Sequence, residues 1–482
     1  MKRNFTNLAL VTFLGGLLGR GFRYLINVVI ARGLGTEALG VFAFGLVVLK
    51  ASMVISRFGL DNAVMKFVPE YRERGEDGRL VATVLICLSL PLVIGSVIAF
   101  GLYLQLPILA TVFGSSFTDS AALFLFGIPL LAAMFVAMNA TRAFKRTRPA
   151  VVIRDIGQSG VALVLVAVGA FILSDISVVI IGYLLSLVVG LILSFLYIRR
   201  LLPRVRPKIT IGDSRQLVSF AVPATLIAVS QYIISWTDVA MLSAFLDAQQ
   251  VGLYQAAYQT SMLLLVVLGA ANSIFPTLVS EFQETEDMQS LQRLYAGVTK
   301  WVIYFTVAGC IFLTIFRGEV LTLFDTTARS ARVALVMLAV GQTVSAVTGS
   351  VGFLLTMSGY ERVESANTIS VAILNIVLNY GLIIQFGMLG AAVATAASLA
   401  TINLLRLAEV RLFIGISPFH RSYLTGLPAL TAAIGVIAVG KIVVTGSFPS
   451  AIIVGGLSLV AFGAAYYFIG FDEIDQVLLE SL

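Results

Sequence analysis

The sequence predicts an all-α polytopic membrane protein, and both its composition and the length of its apolar blocks indicate this fold class. Hydrophobic residues make up 59% of the 482 residues and charged residues only 12%, whereas soluble domains carry about 25% charged residues. Apolar blocks of the roughly 20 residues that a helix needs to cross a bilayer recur along the whole chain. These observations exclude a soluble globular protein.

The apolar blocks predict about fourteen membrane-spanning helices joined by short loops. They cover residues 8–31, 38–59, 80–104, 119–141, 150–173, 176–198, 215–236, 250–274, 294–316, 333–357, 364–385, 388–410, 421–443 and 450–470. The first block follows a short basic head and lacks a small-residue cleavage signature. We therefore expect it to remain as a membrane helix.

Lys and Arg residues are concentrated in alternate loops, which predicts the orientation of the chain. Placing the N-terminus in the cytoplasm puts the basic residues of the first half in three cytoplasmic loops: Lys66, Arg72, Arg74, Arg79, Arg142, Lys145, Arg146, Arg148, Arg199, Arg200, Arg204, Arg206 and Lys208. The predicted outer loops 105–118, 174–177 and 237–250 contain neither residue type. This positive-inside pattern predicts a multi-pass protein of the plasma or inner membrane with both termini cytoplasmic. It also accounts for the net charge of +7 without nucleic acid as a partner.

A weak internal repeat relates the two halves of the chain. A shift of 212 residues places the segment 31–44 over the segment 243–256, so that Gly40 matches Gly252. The matched segments occupy the same place in the helix order, between the first and second helices of each half. Such repeats are typical of transporters.

The repeat divides the chain into two six-helix lobes with a central cavity between them. The predicted order is an N-lobe at 1–200, a cytoplasmic linker at 201–213, a C-lobe at 214–412, and two extra helices with a cytoplasmic tail at 413–482. We further predict an acidic amphipathic connector at 281–294 and a short helix in the tail at 471–482.

The most specific stretch covers residues 364–407. Asn375 and Asn379 share one helix face, and Ala392, Ala396 and Ala400 form a ridge that lets helix backbones approach closely. With the GLGTEALGVF turn at 33–42, this stretch resembles the polysaccharide translocases of the multidrug/oligosaccharidyl-lipid/polysaccharide exporter superfamily. The resemblance implies two lobes that alternate in access, a lipid-linked glycan substrate, and extra C-terminal helices on the lipid side.

Three cations interrupt the first two apolar blocks near their middle. Arg20 and Arg23 are neighbours on one helix face, and Lys50 lies at the same predicted depth on the next helix. Arginine at the bilayer centre costs at least about 2.5–3.5 kcal/mol, so it usually faces a polar pathway. We predict that these cations bind the phosphate of a lipid head group. Structural pairing with a carboxylate elsewhere is the alternative. Arg57, nearer a helix end, is expected to snorkel or to pair with Asp61.

Neutral polar residues in the apolar blocks complete the candidate site. The possible glycan-binding residues are Asn27, Gln231, Ser235, Gln255, Gln259, Asn375 and Asn379. For each of them a hydrogen bond between helices is the alternative. Asp238 is a possible coupling-ion carboxylate, with a capping role near the helix end as the other interpretation.

The resulting hypothesis is a flippase that moves a polyprenyl-phosphate-linked oligosaccharide or polysaccharide repeat unit from the cytoplasmic to the outer leaflet by alternating access. Its partners would be that substrate, membrane lipids, a coupling ion such as Na⁺ or H⁺, and polysaccharide biosynthesis glycosyltransferases. No enzyme is expected, because metalloprotease, nucleophile-elbow and P-loop motifs are absent from the sequence. No cofactor or metal is expected from two scattered cysteines and one histidine. The alternatives are a drug/cation antiporter of the same superfamily and a membrane glycosyltransferase or polysaccharide polymerase.

Overall fold

Long apolar blocks fold as helices because a backbone surrounded by lipid must satisfy its own hydrogen bonds. The structure is a computed structural model that describes residues 2–145, 148–208, 211–272, 288–443 and 446–475. It describes no side chains for residues 2–13, 211, 212, 214, 227, 230, 231 and 233–235. Every regular element within the described ranges is a helix. The all-α fold class is therefore confirmed.

The helices are numbered here in chain order. The first eight are α1 (Lys2–Ser56), α2 (Leu60–Glu73), α3 (Asp77–Phe113), α4 (Ser115–Leu125), α5 (Gly127–Ala143), α6 (Arg148–Leu173, with π-helical turns at Val152–Gln158 and Gly169–Leu173), α7 (Ile176–Leu201) and α8 (Ile211–Phe245). The others are α9 (Ala248–Asn272), α10 (Met288–Ile315), α11 (Arg317–Leu321), α12 (Arg332–Val347), α13 (Val351–Met357), α14 (Glu361–Phe386), α15 (Met388–Glu409), α16 (Leu427–Val443) and α17 (Phe448–Ile469).

The predicted number of fourteen spans is not confirmed. Within the described ranges, eleven helices are long and apolar enough to cross a membrane, or twelve if the bent pair of α4 and α5 forms one span. The long helix α1 counts once in this number, although its apolar part, Leu14–Ser56, has 43 residues. That length is about twice what one crossing needs.

Gly35 divides α1 into two helical arms. Its backbone has φ 89° and ψ 169°, which interrupts the helical geometry between residues 34 and 36. Only glycine adopts this conformation without a large steric penalty. The break lies between the first two predicted helices, 8–31 and 38–59, so the sequence placed the turn correctly although the gap is a single residue.

The predicted outer loop at 105–118 is wrong over most of its length, because α3 continues to Phe113. Pro91 and Pro107 both lie inside this helix. Membrane helices tolerate prolines, since neighbouring helices and local adjustments satisfy the freed backbone groups. Polar and proline residues near position 105 therefore do not end α3.

The helix α2 occupies a stretch that we predicted to be a basic loop, so the loop is wrong there, while the cytoplasmic location of the stretch stays a prediction. Its buried side chains recur every three or four residues, which is the pattern of one helix face. They are Leu60, Ala63, Val64, Phe67, Val68 and Tyr71, with Asp61 beside them. This face packs against apolar residues of α3, α5 and α8, while Lys66 and Arg72 stay exposed. In the sequence, the basic residues of the exposed face of α2 therefore obscured the apolar pattern of its buried face.

By their contacts, the described residues form two compact units, Met1–Gly252 and Leu253–Leu482. These units are defined by contacts, whereas the predicted lobes are defined by the sequence repeat. The predicted boundary between the lobes, at 201–213, therefore stays a prediction. The first unit contains the helices that carry Arg20, Arg23 and Lys50.

Two predicted connecting segments extend beyond the described residues. Residues 281–287 of the predicted acidic connector lie outside the described part of the chain, and α10 begins directly after them at Met288. Residues 476–482 of the predicted tail helix also lie outside it, and 473–475 form the last described helical turn.

The helices α1 and α9 cross at two glycines. A Cβ atom at Gly40 would lie 1.8 Å from the carbonyl oxygen of Ala248, and one at Gly252 would lie 1.7 Å from that of Thr36. The shift of 212 residues relates Gly40 to Gly252 and Thr36 to Ala248. The contact is therefore reciprocal between the two repeats, which supports the register of the repeat.

Candidate anion-binding site

Arg23 lies in a polar contact between α1 and α6. Its Nη1 donates to Asp155 Oδ1 at 3.1 Å and to Ser159 Oγ at 3.2 Å. Asp155 belongs to the first π-helical turn of α6. The Arg23 side chain is still 37% exposed, and one engaged nitrogen leaves other guanidinium donors for a further anion. Asp155 is the carboxylate partner that the sequence alone did not locate.

Glycines on α1 bring α6 close enough for this ion pair. A Cβ atom at Gly15 would lie 2.1 Å from Val151 Cγ1, and one at Gly19 would lie 2.5 Å from Asp155 Cβ. The two glycines are four residues apart, the spacing that lets membrane helices pack backbone to backbone. The position of Asp155 beside Arg23 thus depends on the absence of a side chain at Gly19.

Gly19→Val is expected to destabilise the protein by about 1–3 kcal/mol, the usual cost of overpacking, because the new side chain would collide with Asp155. Thermal unfolding of the purified protein measures the effect. Gly16→Val is the matched control, since a Cβ atom at Gly16 meets no atom of the described residues within 4 Å. Equal unfolding temperatures for the two variants would contradict the close approach.

Lys50 lies on the second arm of α1 and contacts an aromatic side chain of α8. Its Nζ is 4.0 Å from the ring centroid of Trp236, a distance typical of a cation–π interaction. The Trp236 ring is nearly parallel to the ring of Tyr232, at 6.3 Å and 12°. The Tyr232 hydroxyl donates to the carbonyl oxygen of Val47 at 2.6 Å. These contacts hold α8 beside Lys50, and within the described ranges no carboxylate pairs with its ammonium group.

Arg154 is a third cation of this region, and our reading of the sequence missed it. It precedes Asp155 on α6, and its guanidinium lies 5.0 Å from the ring centroid of Phe135. The charges of Arg154 and Arg23 both act on Lys50, so the three cations are electrostatic neighbours. The signal in the sequence was the Arg154–Asp155 pair inside the apolar block 150–173.

Arg20 is exposed on α1, one turn before Arg23. Its predicted role in the site stays a prediction. Arg57 makes the predicted pair with Asp61, with Nη1 and Oδ2 separated by 3.0 Å. Asn139 Nδ2 also donates to Asp61 Oδ2, at 3.4 Å. The pairing of Arg57 is therefore confirmed, and this arginine belongs to a structural contact.

The paired asparagines of α14 make hydrogen bonds inside the helix packing. Asn375 Nδ2 donates to Ser398 Oγ of α15 at 3.1 Å. Asn379 Nδ2 donates to the backbone oxygen and to Oδ1 of Asn375, at 2.9 and 3.1 Å. Both side chains are buried. The Asn375 contact favours the alternative that this amide joins α14 to α15, whereas the contacts of Asn379 stay within α14. A role in glycan binding stays a prediction for both.

The other polar candidates occupy different surroundings. Asn27 is buried and donates to the backbone oxygen of Arg23 at 2.7 Å. Asp238 is buried, and its Oδ1 accepts a hydrogen bond from the backbone N–H of Val239 at 2.8 Å. Gln255 is buried and Gln259 is half-buried on α9. The side chains of Gln231 and Ser235 lie outside the described part of the structure. Binding roles for all six stay predictions.

The first compact unit therefore concentrates positive charge within its apolar helices. Three basic side chains, Arg23, Lys50 and Arg154, lie near one carboxylate, Asp155. Charges interact more strongly in a low-dielectric surrounding than in water. The arrangement suits an anion.

A bundle of membrane-length helices with charged side chains among them is typical of membrane transporters. The chain belongs to the polysaccharide biosynthesis protein family, which it matches over residues 6–282. The resemblance found in residues 33–42 and 364–407 is confirmed at this level.

The chain is also similar to individual proteins. It is 26% identical, over 409 residues, to Agl15 of Haloferax volcanii, a probable low-salt glycan biosynthesis flippase; the match covers 84% of this chain and 83% of the relative. Its fold matches the lipid II flippase MurJ in the inward closed conformation with a TM-score of 0.71 and 18% identity, over 95% of this chain and 98% of MurJ. An inward-facing multidrug resistance MATE family transporter matches with a TM-score of 0.66 and 16% identity, over 84% of this chain and 98% of that one.

Proposed function

We propose that the protein is a flippase that moves a polyprenyl-phosphate-linked oligosaccharide or polysaccharide repeat unit from the cytoplasmic to the outer leaflet. Membership of the polysaccharide biosynthesis protein family supports this function. The similarity to a glycan biosynthesis flippase supports it as well. The single observation that carries the proposal is the cationic cluster in the membrane helices, because a phosphate or diphosphate is the anionic part of such a substrate.

Binding of the substrate would exchange the partners of the cations. Arg23 would turn its free donors, or those now on Asp155 and Ser159, toward phosphate oxygens. Lys50 would leave the face of Trp236 for the same anion. A cation–π contact contributes about 0.5–1 kcal/mol at an exposed site and about 2 kcal/mol when it is desolvated, and a hydrogen bond to a charged group contributes about 1.5–3 kcal/mol. The two interactions of Lys50 are thus of similar strength, so the ammonium group can exchange one for the other.

Transport itself needs no covalent step in this proposal. The two lobes would expose the site to one side of the membrane at a time, the mechanism of alternating access. The termini would be cytoplasmic in the cell membrane, as the distribution of Lys and Arg predicts. Na⁺ or H⁺ would act as the coupling ion, and glycosyltransferases of polysaccharide biosynthesis would supply the substrate.

The drug/cation antiporter is the weaker candidate, although a MATE transporter shares the fold. A cationic drug requires carboxylates at the binding site, by simple charge complementarity. The site described here has Asp155 as its carboxylate, and Arg23 already neutralises it.

Removing the three predicted phosphate-binding charges is expected to slow transport strongly. The protein is reconstituted in liposomes, and outward movement of a fluorescent polyprenyl-diphosphate-linked oligosaccharide is measured. We expect Arg20→Gln/Arg23→Gln/Lys50→Gln to lower the rate at least about 10-fold, since each lost charge-assisted hydrogen bond contributes about 1.5–3 kcal/mol. Arg72→Gln, which removes an exposed cation of α2, should transport like the wild type.

Two outcomes would overturn different parts of the proposal. Transport at the wild-type rate by the triple variant would contradict the site assignment but not the flippase. A reconstituted wild-type protein that moves none of several lipid-linked oligosaccharides would contradict the flippase function itself.

A further inference from the structure

A second cationic feature lies at the end of α7, away from the membrane-embedded cluster in the sequence. It is a cavity of about 510 Å³ lined by Leu196, Arg199, Arg200, Leu202 and Arg204. Three arginines and two leucines thus line one concave volume. The cavity combines strong positive charge with an apolar wall.

The charged residues of the sequence around this cavity are all positive. The stretch 199–208 reads RRLLPRVRPK and contains five cations and no acidic residue. Among the described residues, Arg199, Arg200 and Arg204 make no ion pair, and all three are exposed. Cations at the end of a helix stabilise its dipole, and the positive-inside distribution favours them in this loop. Neither effect requires three arginines to surround a cavity with leucines on its wall.

The backbone that builds the cavity is anchored on both sides. The N–H of Leu202 donates to the carbonyl oxygen of Ile198 at 2.9 Å, and the N–H of Lys208 donates to that of Gly78 at 2.9 Å. Leu202 also packs against the apolar cluster formed by α2, α3, α5 and α8. The segment after α7 is therefore tied to the start of α3, and its Arg204 lines the same cavity as Arg199 and Arg200 of the last turn of α7.

The length of α7 places the cavity at the level of lipid head groups. The helix has 26 residues and is apolar enough to span a membrane, so it is about 39 Å long at 1.5 Å per residue. A bilayer has a hydrocarbon core of about 30 Å and a total thickness of about 40–45 Å with its head groups. Arg199 and Arg200, in the last turn of α7, would therefore lie among the phosphates of one leaflet.

We propose that this cavity binds the phosphate head group of a lipid from the adjacent leaflet. The guanidinium groups of Arg199, Arg200 and Arg204 donate to the phosphate oxygens, and guanidinium matches phosphate in a bidentate geometry. Leu196 and Leu202 contact the first part of the lipid chain. Basic pockets next to membrane helices bind anionic lipid head groups by this chemistry. The lipid is either a bulk anionic phospholipid or the polyprenyl phosphate of the proposed substrate; only the second source rests on the proposed function.

The experiment compares lipid retention by the full chain and its variants. Purified protein in neutral detergent is mixed with phosphatidylglycerol, polyprenyl monophosphate or uncharged diacylglycerol, and the bound fraction is measured by native mass spectrometry. We expect the wild type to retain at least one of the two phosphate lipids and not diacylglycerol. In Arg199→Gln/Arg200→Gln/Arg204→Gln the retained fraction should fall at least 10-fold. Arg206→Gln/Lys208→Gln, which removes cations of the same stretch that do not line the cavity, should retain lipid like the wild type.

The two lipid arms identify the source, and stronger retention of either phosphate lipid supports the site. The single variant Arg204→Glu provides a second test, because this residue follows the helix and is exposed, so its exchange spares the fold. Retention at the wild-type level in the triple variant or in Arg204→Glu would overturn the proposal, provided that both are made in an Arg20→Gln/Arg23→Gln/Lys50→Gln background in which the membrane-embedded cations cannot hold the lipid. So would an equal loss in the control variant, since charge alone would then explain binding. No arm depends on transport, so failure of the flippase proposal leaves this result intact.

Discussion

Gly40→Val is expected to prevent the native packing of α1 against α9. The added Cβ atom would lie 1.8 Å from a backbone oxygen, and backbone cannot rotate away as a side chain can. Overpacking costs about 1–3 kcal/mol where side chains yield and more where they do not, so we expect a loss of at least about 3 kcal/mol. Gly252→Val should have the same effect, because its Cβ atom meets the equivalent oxygen at 1.7 Å.

The yield of monodisperse protein and the temperature of thermal unfolding measure this effect. Gly101→Val is the matched control, since a Cβ atom at this helical glycine of α3 has no neighbour within 4 Å in the part of the chain that the structure describes. Near-identical unfolding temperatures for Gly40→Val and Gly101→Val would show that the two helices do not cross this closely.

Lys300→Met is the second substitution for which we expect a large effect. Lys300 is fully buried on α10, and its Nζ donates to Asp472 Oδ2 at 2.7 Å and to Asp475 Oδ2 at 3.0 Å. Trp301 Nε1 and the Tyr466 hydroxyl donate to Asp475 as well. Without the ammonium group, two carboxylates would stay among buried groups with no counter-charge. Removing one partner of a buried ion pair costs about 3–5 kcal/mol, which we expect to appear in thermal unfolding.

The control for this variant lies on the same helix. Arg293 of α10 pairs with Glu473 at 3.5 Å, and both side chains are largely exposed, so Arg293→Gln should cost about 0–1 kcal/mol. Lys300→Met/Asp472→Asn should recover part of the lost stability, because one uncompensated carboxylate is removed. A Lys300→Met protein as stable as Arg293→Gln would contradict the buried network.

The same network predicts a loss of stability in acid. Burial raises the pKa of Asp472, but the hydrogen bond from Lys300 and a backbone hydrogen bond at Asp475 outweigh it, so the pKa is below its ordinary value. A carboxyl group whose pKa is lowered by folding stabilises the folded state above its ordinary pKa of about 3.9, and this contribution is lost as the pH falls further. Unfolding temperatures should therefore decrease below about pH 4 in the wild type, and less so in Asp472→Asn.

Much of the fold was predictable because the bilayer imposes a length on every apolar block. The predicted helix at 176–198 corresponds to α7, and that at 388–410 corresponds to α15, within a few residues. The prediction failed where the residue pattern alone was misleading. The basic residues of α2 obscured the apolar pattern of its buried face, so the helix was predicted as a loop. Pro107 lies inside α3, although proline usually ends helices in soluble proteins.

The candidate site was predictable only in part. Arg23 and Lys50 stand out in the sequence, because a cation inside an apolar block is costly wherever it lies. Their partners do not stand out in the same way. Asp155 lies 132 residues from Arg23, and the proximity of Trp236 to Lys50 depends on how α8 packs. The asparagines of α14 illustrate the opposite case. Their pattern stands out in the sequence, but in the structure Asn375 makes a hydrogen bond to Ser398 of the next helix.

The reciprocal crossing of α1 and α9 has the form of an isologous interface. In a two-fold symmetric dimer, residue i of one subunit contacts residue j of the other, and j contacts i. Gly40 with Ala248, and Gly252 with Thr36, satisfy this relation with the two repeats in place of subunits. In terms of the predicted repeats, each one carries both halves of the contact, so two separate copies of it would have mutually complementary surfaces. One polypeptide would then enclose the kind of contact that a symmetric dimer has, as gene duplication and fusion of two associated subunits would produce.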